Sequence, residues 1–107
     1  MNNKKQVKQK KLEQILQNKV VLITGGAGSI GSNLTKMILK YPIKSIRILD
    51  IDEHALFLLG RSIKDSRLRL LLGSVVDKER IEMAGKDVDI VIHTAAIKNI
   101  EISEFNP

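Results

Sequence analysis

Apolar residues follow two rhythms along this chain. Short, nearly continuous apolar runs alternate with segments in which apolar positions return every three or four residues. The runs predict strands at about Lys19 to Thr24, Ser45 to Asp50, Arg67 to Leu72 and Val88 to His93; the first reads as buried on both faces and the last has the apolar content of an interior parallel strand. Between the first two, Ile30, Leu34, Met37 and Ile38 share one face of a helix expected over about Ser29 to Lys40. It stops at Tyr41-Pro42 because the residue before proline is pushed out of the α region. Leu56, Leu59 and Ile63 predict a second helix from about Glu53 to Lys64. Asp77 has the form of an N-cap for a short third helix containing Ile81, which Gly85 ends.

Strands alternating with helices imply an α/β fold: a Rossmann-type parallel sheet with right-handed crossovers, helices on both faces and strand order 3-2-1-4. The winding reverses between strands one and four. Their exit loops, Thr24 to Gly31 and His93 to Lys98, therefore face each other where ligands bind such sheets.

The first of these loops carries the densest chemistry. Gly26-Ala27-Gly28-Ser29-Ile30-Gly31 fits a G-x-G-x-x-G pattern, while Gly25, Gly28 and Gly31 fit G-x-x-G-x-x-G. Glycines let the backbone approach a ligand closely, and the helix that follows presents N–H groups and its positive dipole end to a phosphate. Asp50 ends the second strand nineteen residues after Gly31, where a carboxylate can accept hydrogen bonds from ribose hydroxyls. Together these features predict a dinucleotide site. In the second loop, small Ala95 and Ala96 suit either a flat adenosine or a tightly packed strand exit.

Composition narrows the alternatives. The 107 residues suffice for one small domain, and the absence of cysteine excludes disulfides and thiolate metal sites. Two histidines, His54 and His93, are too far apart in sequence to suggest a zinc cluster. No apolar run approaches the ~20 residues of a membrane span, and no secretory signal is visible, so a cytoplasmic location is expected. The net charge of +6 is uneven: residues 1–19 hold +5 of it, and the remainder is close to neutral. Residues 1–18 are read as a basic helical leader whose Leu12, Ile15 and Leu16 dock on the domain while its lysines face water. No aromatic residue is interleaved for base stacking, so no nucleic-acid partner is expected. Residues 19–107 form the Rossmann domain.

Thr24-Gly25-Gly26-Ala27-Gly28-Ser29-Ile30-Gly31, Leu49-Asp50, Gly73-Ser74-Val75-Val76-Asp77, His93-Thr94-Ala95-Ala96-Ile97-Lys98 and Glu104-Phe105-Asn106-Pro107 together resemble the extended short-chain dehydrogenase/reductases. Within them the chain is most similar to the nucleotide-sugar 4,6-dehydratases of polysaccharide biosynthesis that act on UDP-N-acetylglucosamine. The resemblance spans about residues 19–107, and the His-x-Ala-Ala-x-Lys stretch with Glu-x-Asn-Pro is its more specific part. It implies a bound NAD or NADP that takes a hydride from C4 of the sugar and returns it at C6 after water is lost across C5–C6; the charge of Asp50, which would repel a 2′-phosphate, makes NAD the expected one of the two. By position it implies that Gly25, Gly28, Ser29, Ile30 and Gly31 hold the pyrophosphate, that Asp50 binds the ribose, and that Ser74 and Val75 border the adenine. Ala95, Ala96 and Lys98 would line the cofactor and the approach to the sugar.

The chain departs from the family pattern in places. Ser74 stands where the family usually has Asp, Asn99 where it has His, and Glu101 where it has Pro. No Tyr-x-x-x-Lys occurs: the only tyrosine, Tyr41, has Lys44 three positions on instead of four. No catalytic residue is assigned. His93 reads as a packed strand-end residue, and Glu101 and Glu104 as surface charge. The chain is thus expected to be the cofactor-binding, N-terminal half of a dehydratase or epimerase, with no turnover of its own. The rival reading is a non-catalytic NAD(P)-binding or sensing module, or a truncated subunit completed by a partner chain. Expected partners are NAD(P), a nucleotide-sugar substrate in the complete protein, and either a second copy of the chain or a missing C-terminal half. Strand four is expected to be an open edge beside an uncovered apolar face, a pattern that invites self-association.

Overall fold

The computed structural model describes residues 4–94 and the backbone of 100–104. Helix α1 (Lys4–Leu16) leads into β1 (Val20–Thr24), α2 (Ser29–Ile38), β2 (Ser45–Asp50), α3 (Glu53–Ser62), β3 (Leu68–Leu72), α4 (Lys78–Ala84), β4 (Ile90–Thr94) and β5 (Ile100–Glu104). The sheet order is β3-β2-β1-β4-β5. The first four strands run parallel in the 3-2-1-4 order read from the sequence.

Strand β1 is central, and all five of its residues are buried. Alternation divides the side chains between two faces. Val21, Ile23, Ile46 and Ile48 pack with Ile38 at the end of α2 and with Leu56 and Leu59 of α3. Val20, Leu22, Leu49 and Val91 pack on the opposite face with Ala84 and Ile81 of α4. That second face was expected to stay largely uncovered, yet Val20, Leu22, Leu49, Val88 and Val91 are all buried. The seven-residue α4 suffices because the loop after it adds Val88 to the same cluster.

Two further expectations are corrected. Strand β4 is not an edge: β5 pairs along it antiparallel, from Ile90 opposite Glu104 to Thr94 opposite Ile100. The leader is helical, but of the three residues expected to dock only Leu16 is buried, while Leu12 and Ile15 stand exposed. The helix meets the body at its C-terminal end. There Asn18 turns the chain with φ 59° and its N–H donates to Pro42 O at 2.9 Å.

Because β1 and β2 pair Thr24 with Leu49, β1 and β4 pair Thr24 with His93, and β2 and β3 pair Asp50 with Leu72, the carboxyl ends of four strands finish side by side. The candidate site is built on that end.

Candidate functional site

The turn from β1 into α2 is held by contacts only glycine permits. Gly25 has φ +72°, and a Cβ there would lie 2.6 Å from Thr94 O on β4. A Cβ on Gly31 would collide with the Gly26 backbone, so its absence lets the first turn of α2 close against the loop. Gly28 differs from both. It is the N-cap of α2, and a Cβ there would meet only Gly25 O, at 3.9 Å. Its open side faces a cleft.

Helix starts differ in how they are satisfied. Asp52 caps α3 by accepting from Ala55 N at 3.0 Å, and Asp77 caps α4 by accepting from Arg80 N at 3.2 Å. The ten-residue α2 has no side-chain cap. An α-helix leaves its first N–H groups without intrahelical acceptors. At α2 these groups and the positive end of the dipole border the cleft.

The cleft has a volume of about 930 Å³. All eight described residues singled out from the sequence line it: Gly25, Gly28, Ser29, Ile30, Gly31, Asp50, Ser74 and Val75. Ala95, Ala96 and Lys98, with Ile97 and Asn99, lie outside the described residues. Sequence reasoning passed over Thr24, Asp52, Ala55 and Thr94, which also line the cleft. Their signal was positional: Thr24 and Thr94 end adjacent parallel strands, while Asp52 and Ala55 have the spacing of an N-cap and the backbone N–H that donates to it.

Asp50 closes β2, beside the carboxyl end of the central β1. Its Oδ2 accepts from Ala27 N at 3.0 Å and its Oδ1 from Asp52 N at 2.9 Å. Ile51, next in sequence, is 73% exposed on the cleft wall. Arg47 points elsewhere, donating through Nη1 to Ala84 O at 2.8 Å and Lys86 O at 2.6 Å on the far face. On the β4 side, Thr94 Oγ1 donates to Thr24 O at 2.7 Å, and His93 Nδ1 lies 2.9 Å from Thr24 Oγ1. His93 is thus tied into the strand ends. Ser74 Oγ accepts from Val76 N at 3.2 Å. Tyr41 follows α2, and its ring packs against the core at the opposite end of the sheet.

This arrangement offers backbone N–H groups and a helix dipole to an anion, a carboxylate to hydroxyl groups and an apolar wall to a flat ring. Among the described residues no cluster of three or more His, Cys, Asp or Glu could hold a metal ion, and no helix is long and apolar enough to cross a membrane.

Known proteins resemble this chain in sequence and fold. An uncharacterized membrane protein of Methanocaldococcus jannaschii is 42% identical over 96 residues, 90% of this chain and 29% of that protein. A UDP-N-acetylglucosamine 4,6-dehydratase (inverting) of Campylobacter jejuni is 40% identical over 94 residues, 87% of this chain and 28% of the enzyme. Among solved structures, the Bordetella bronchiseptica enzyme WbmF in complex with NAD+ superposes with TM-score 0.61 at 25% identity, over 76% of this chain and 24% of WbmF. The chain spans less than a third of the length of each. The family model described as polysaccharide biosynthesis protein matches residues 21–107. With its glycine turn, its parallel 3-2-1-4 strand order and these relatives, the chain belongs to the polysaccharide biosynthesis protein family and carries the Rossmann-type fold of the extended short-chain dehydrogenase/reductases.

Proposed function

We propose that the cleft binds NAD, and that the chain is the cofactor-binding portion of an NAD-dependent nucleotide-sugar 4,6-dehydratase or epimerase of polysaccharide biosynthesis. The observation that carries this reading is the start of α2: an uncapped helix N-terminus opening on a cleft through Gly28, where no Cβ intrudes. Such an end suits a pyrophosphate.

Gly25, Gly28, Ser29, Ile30 and Gly31 hold the pyrophosphate in this reading. Asp50 accepts from the adenosine ribose, and Ser74 and Val75 border the adenine. Ala95, Ala96 and Lys98 carry over from the family motif as lining for the cofactor and for the approach to the sugar. The bound cofactor supplies hydride transfer, and the chain's own residues bind and orient it. The nucleotide-sugar substrate, with UDP-N-acetylglucosamine first to be tried, follows from the Campylobacter relative.

NAD is preferred over NADP because the Asp50 carboxylate repels a 2′-phosphate. The neighbouring Ile51 offers no positive charge, and Arg47 is engaged on the other face. Calorimetric titration with both nucleotides tests this. NAD should bind the more tightly, and the preference should fall in Asp50→Ala. Tighter NADP binding overturns the preference, and no binding of either nucleotide overturns the cofactor reading.

A further inference from the structure

Asp50 spends both carboxylate oxygens on backbone. Oδ2 takes the N–H of Ala27, twenty-three residues earlier in the glycine turn, and Oδ1 takes that of Asp52. Ala27 is also held from its other side, where Ser32 Oγ donates to Ala27 O at 3.2 Å. Ala27 is buried, and its bond to the Asp50 carboxylate is part-buried at the cleft wall. A buried donor left without a partner costs more than its hydrogen bond contributes.

We infer that Asp50 is a positioning residue for the anion-binding turn. It fixes Ala27, and through Ala27 the adjoining Gly28, Ser29 and Ile30 at the start of α2, in addition to any contact it makes with a ribose. The inference rests on reading the cleft as a dinucleotide site. The two roles are compatible, since an ionised carboxylate has about four acceptor positions and the backbone uses two. Asp50 thereby couples the ribose end of the cleft to its pyrophosphate end. A carboxylate that swung aside to admit a 2′-phosphate would release the turn.

The sign of one measurement separates this role from simple electrostatics. Removing a negative charge beside an anion site should tighten anion binding, whereas loss of the tether should weaken it. The probe is 2′,3′-dideoxyadenosine 5′-diphosphate, which carries the pyrophosphate but no hydroxyl for Asp50 to accept from. By calorimetry, Asp50→Ala should bind it about 5- to 30-fold more weakly than the wild type. Asp50→Asn keeps one acceptor oxygen and should fall between. Without nucleotide, hydrogen exchange at the Ala27 amide, followed by NMR, should accelerate in both variants. If Asp50→Ala does not fold, Asp50→Asn carries the comparison. Equal or tighter binding of the probe by a folded variant, or unchanged exchange at Ala27, overturns the inference. If the wild type binds neither the probe nor NAD, the cofactor reading fails, while the exchange measurement still decides whether Asp50 holds the turn.

Discussion

Arg67 Nη2 lies 2.9 Å from Asp65 Oδ2, and the same guanidinium reaches back to the end of α2, donating to Leu39 O at 2.6 Å and Tyr41 O at 2.8 Å. A single side chain thereby ties the loop before β3 to the carbonyls that close α2. Hydrogen bonding from Arg67, through its side chain first and its backbone N–H second, holds the Asp65 carboxyl at about 2, below its ordinary 3.8.

That contact gives stability a pH dependence of known sign. A carboxyl with a lowered pKa in the folded state contributes stability that is fully present above its unfolded value and is lost as pH falls through its folded one. The difference in melting temperature between wild type and Asp65→Asn should be constant near neutrality and shrink from about pH 4 toward about pH 2. Thermal melts across that window check it. The pair is partly exposed, so the effect should be small; a difference that does not change with pH would count against the contact.

Two glycines of the turn should respond in opposite ways to one methyl group. In Gly31→Ala the Cβ meets backbone, which no rotamer change relieves. Destabilisation of about 1–3 kcal/mol is expected, lowering the melting temperature by about 4–8 °C per kcal/mol. In Gly28→Ala the Cβ makes only an ordinary contact with Gly25 O at 3.9 Å, so stability should be retained while NAD affinity falls. Melting curves and titrations of the two variants separate the roles, and undiminished NAD binding by Gly28→Ala would remove Gly28 from the pyrophosphate site.

Arg47 is a stability residue on this geometry. Arg47→Ala removes two hydrogen bonds to carbonyls at the C-terminal end of α4 and should cost about 1–3 kcal/mol. The preference between NAD and NADP should not move. A shift in that preference with an unchanged melting temperature would show that Arg47 faces the nucleotide.

The outer edge of β3 is guarded. Ile46 N donates to Arg67 O and Gly73 N to Asp50 O, so odd-numbered residues face β2 and the carbonyls of Ser66, Leu68, Leu70 and Leu72 point outward. Arg69 Nη1 folds back to donate to Ser66 O at 2.6 Å and Leu68 O at 3.1 Å, and Arg80 Nε donates to Leu72 O at 2.8 Å. Edge carbonyls already occupied by guanidinium groups are poor templates for another strand. The double variant Arg69→Ala/Arg80→Ala should self-associate more than the wild type in size-exclusion chromatography with light scattering. Equal association would show that the arginines do not protect this edge.

Local rhythm was enough to read the four parallel strands, the helices between them and the strand order, because right-handed crossovers leave few ways to lay such units side by side. The glycine turn and Asp50 were legible for a similar reason: their spacing reflects local demands of a strand–turn–helix unit. Pairings between distant segments were not legible. Strand β5 becomes a strand by hydrogen-bonding along β4, and nothing in five residues announces that the chain has reversed. Leu12 and Ile15 follow the same apolar spacing as Leu16, yet only Leu16 comes within reach of the body. Alternation could turn Arg47 away from Asp50, but its target exists only once α4 has packed beneath β2. The bond from Asp50 to Ala27 likewise exists only because β1 and β2 finish side by side. A periodic pattern records which face of an element is apolar; which partner that face or its polar atoms meet is decided when the elements pack.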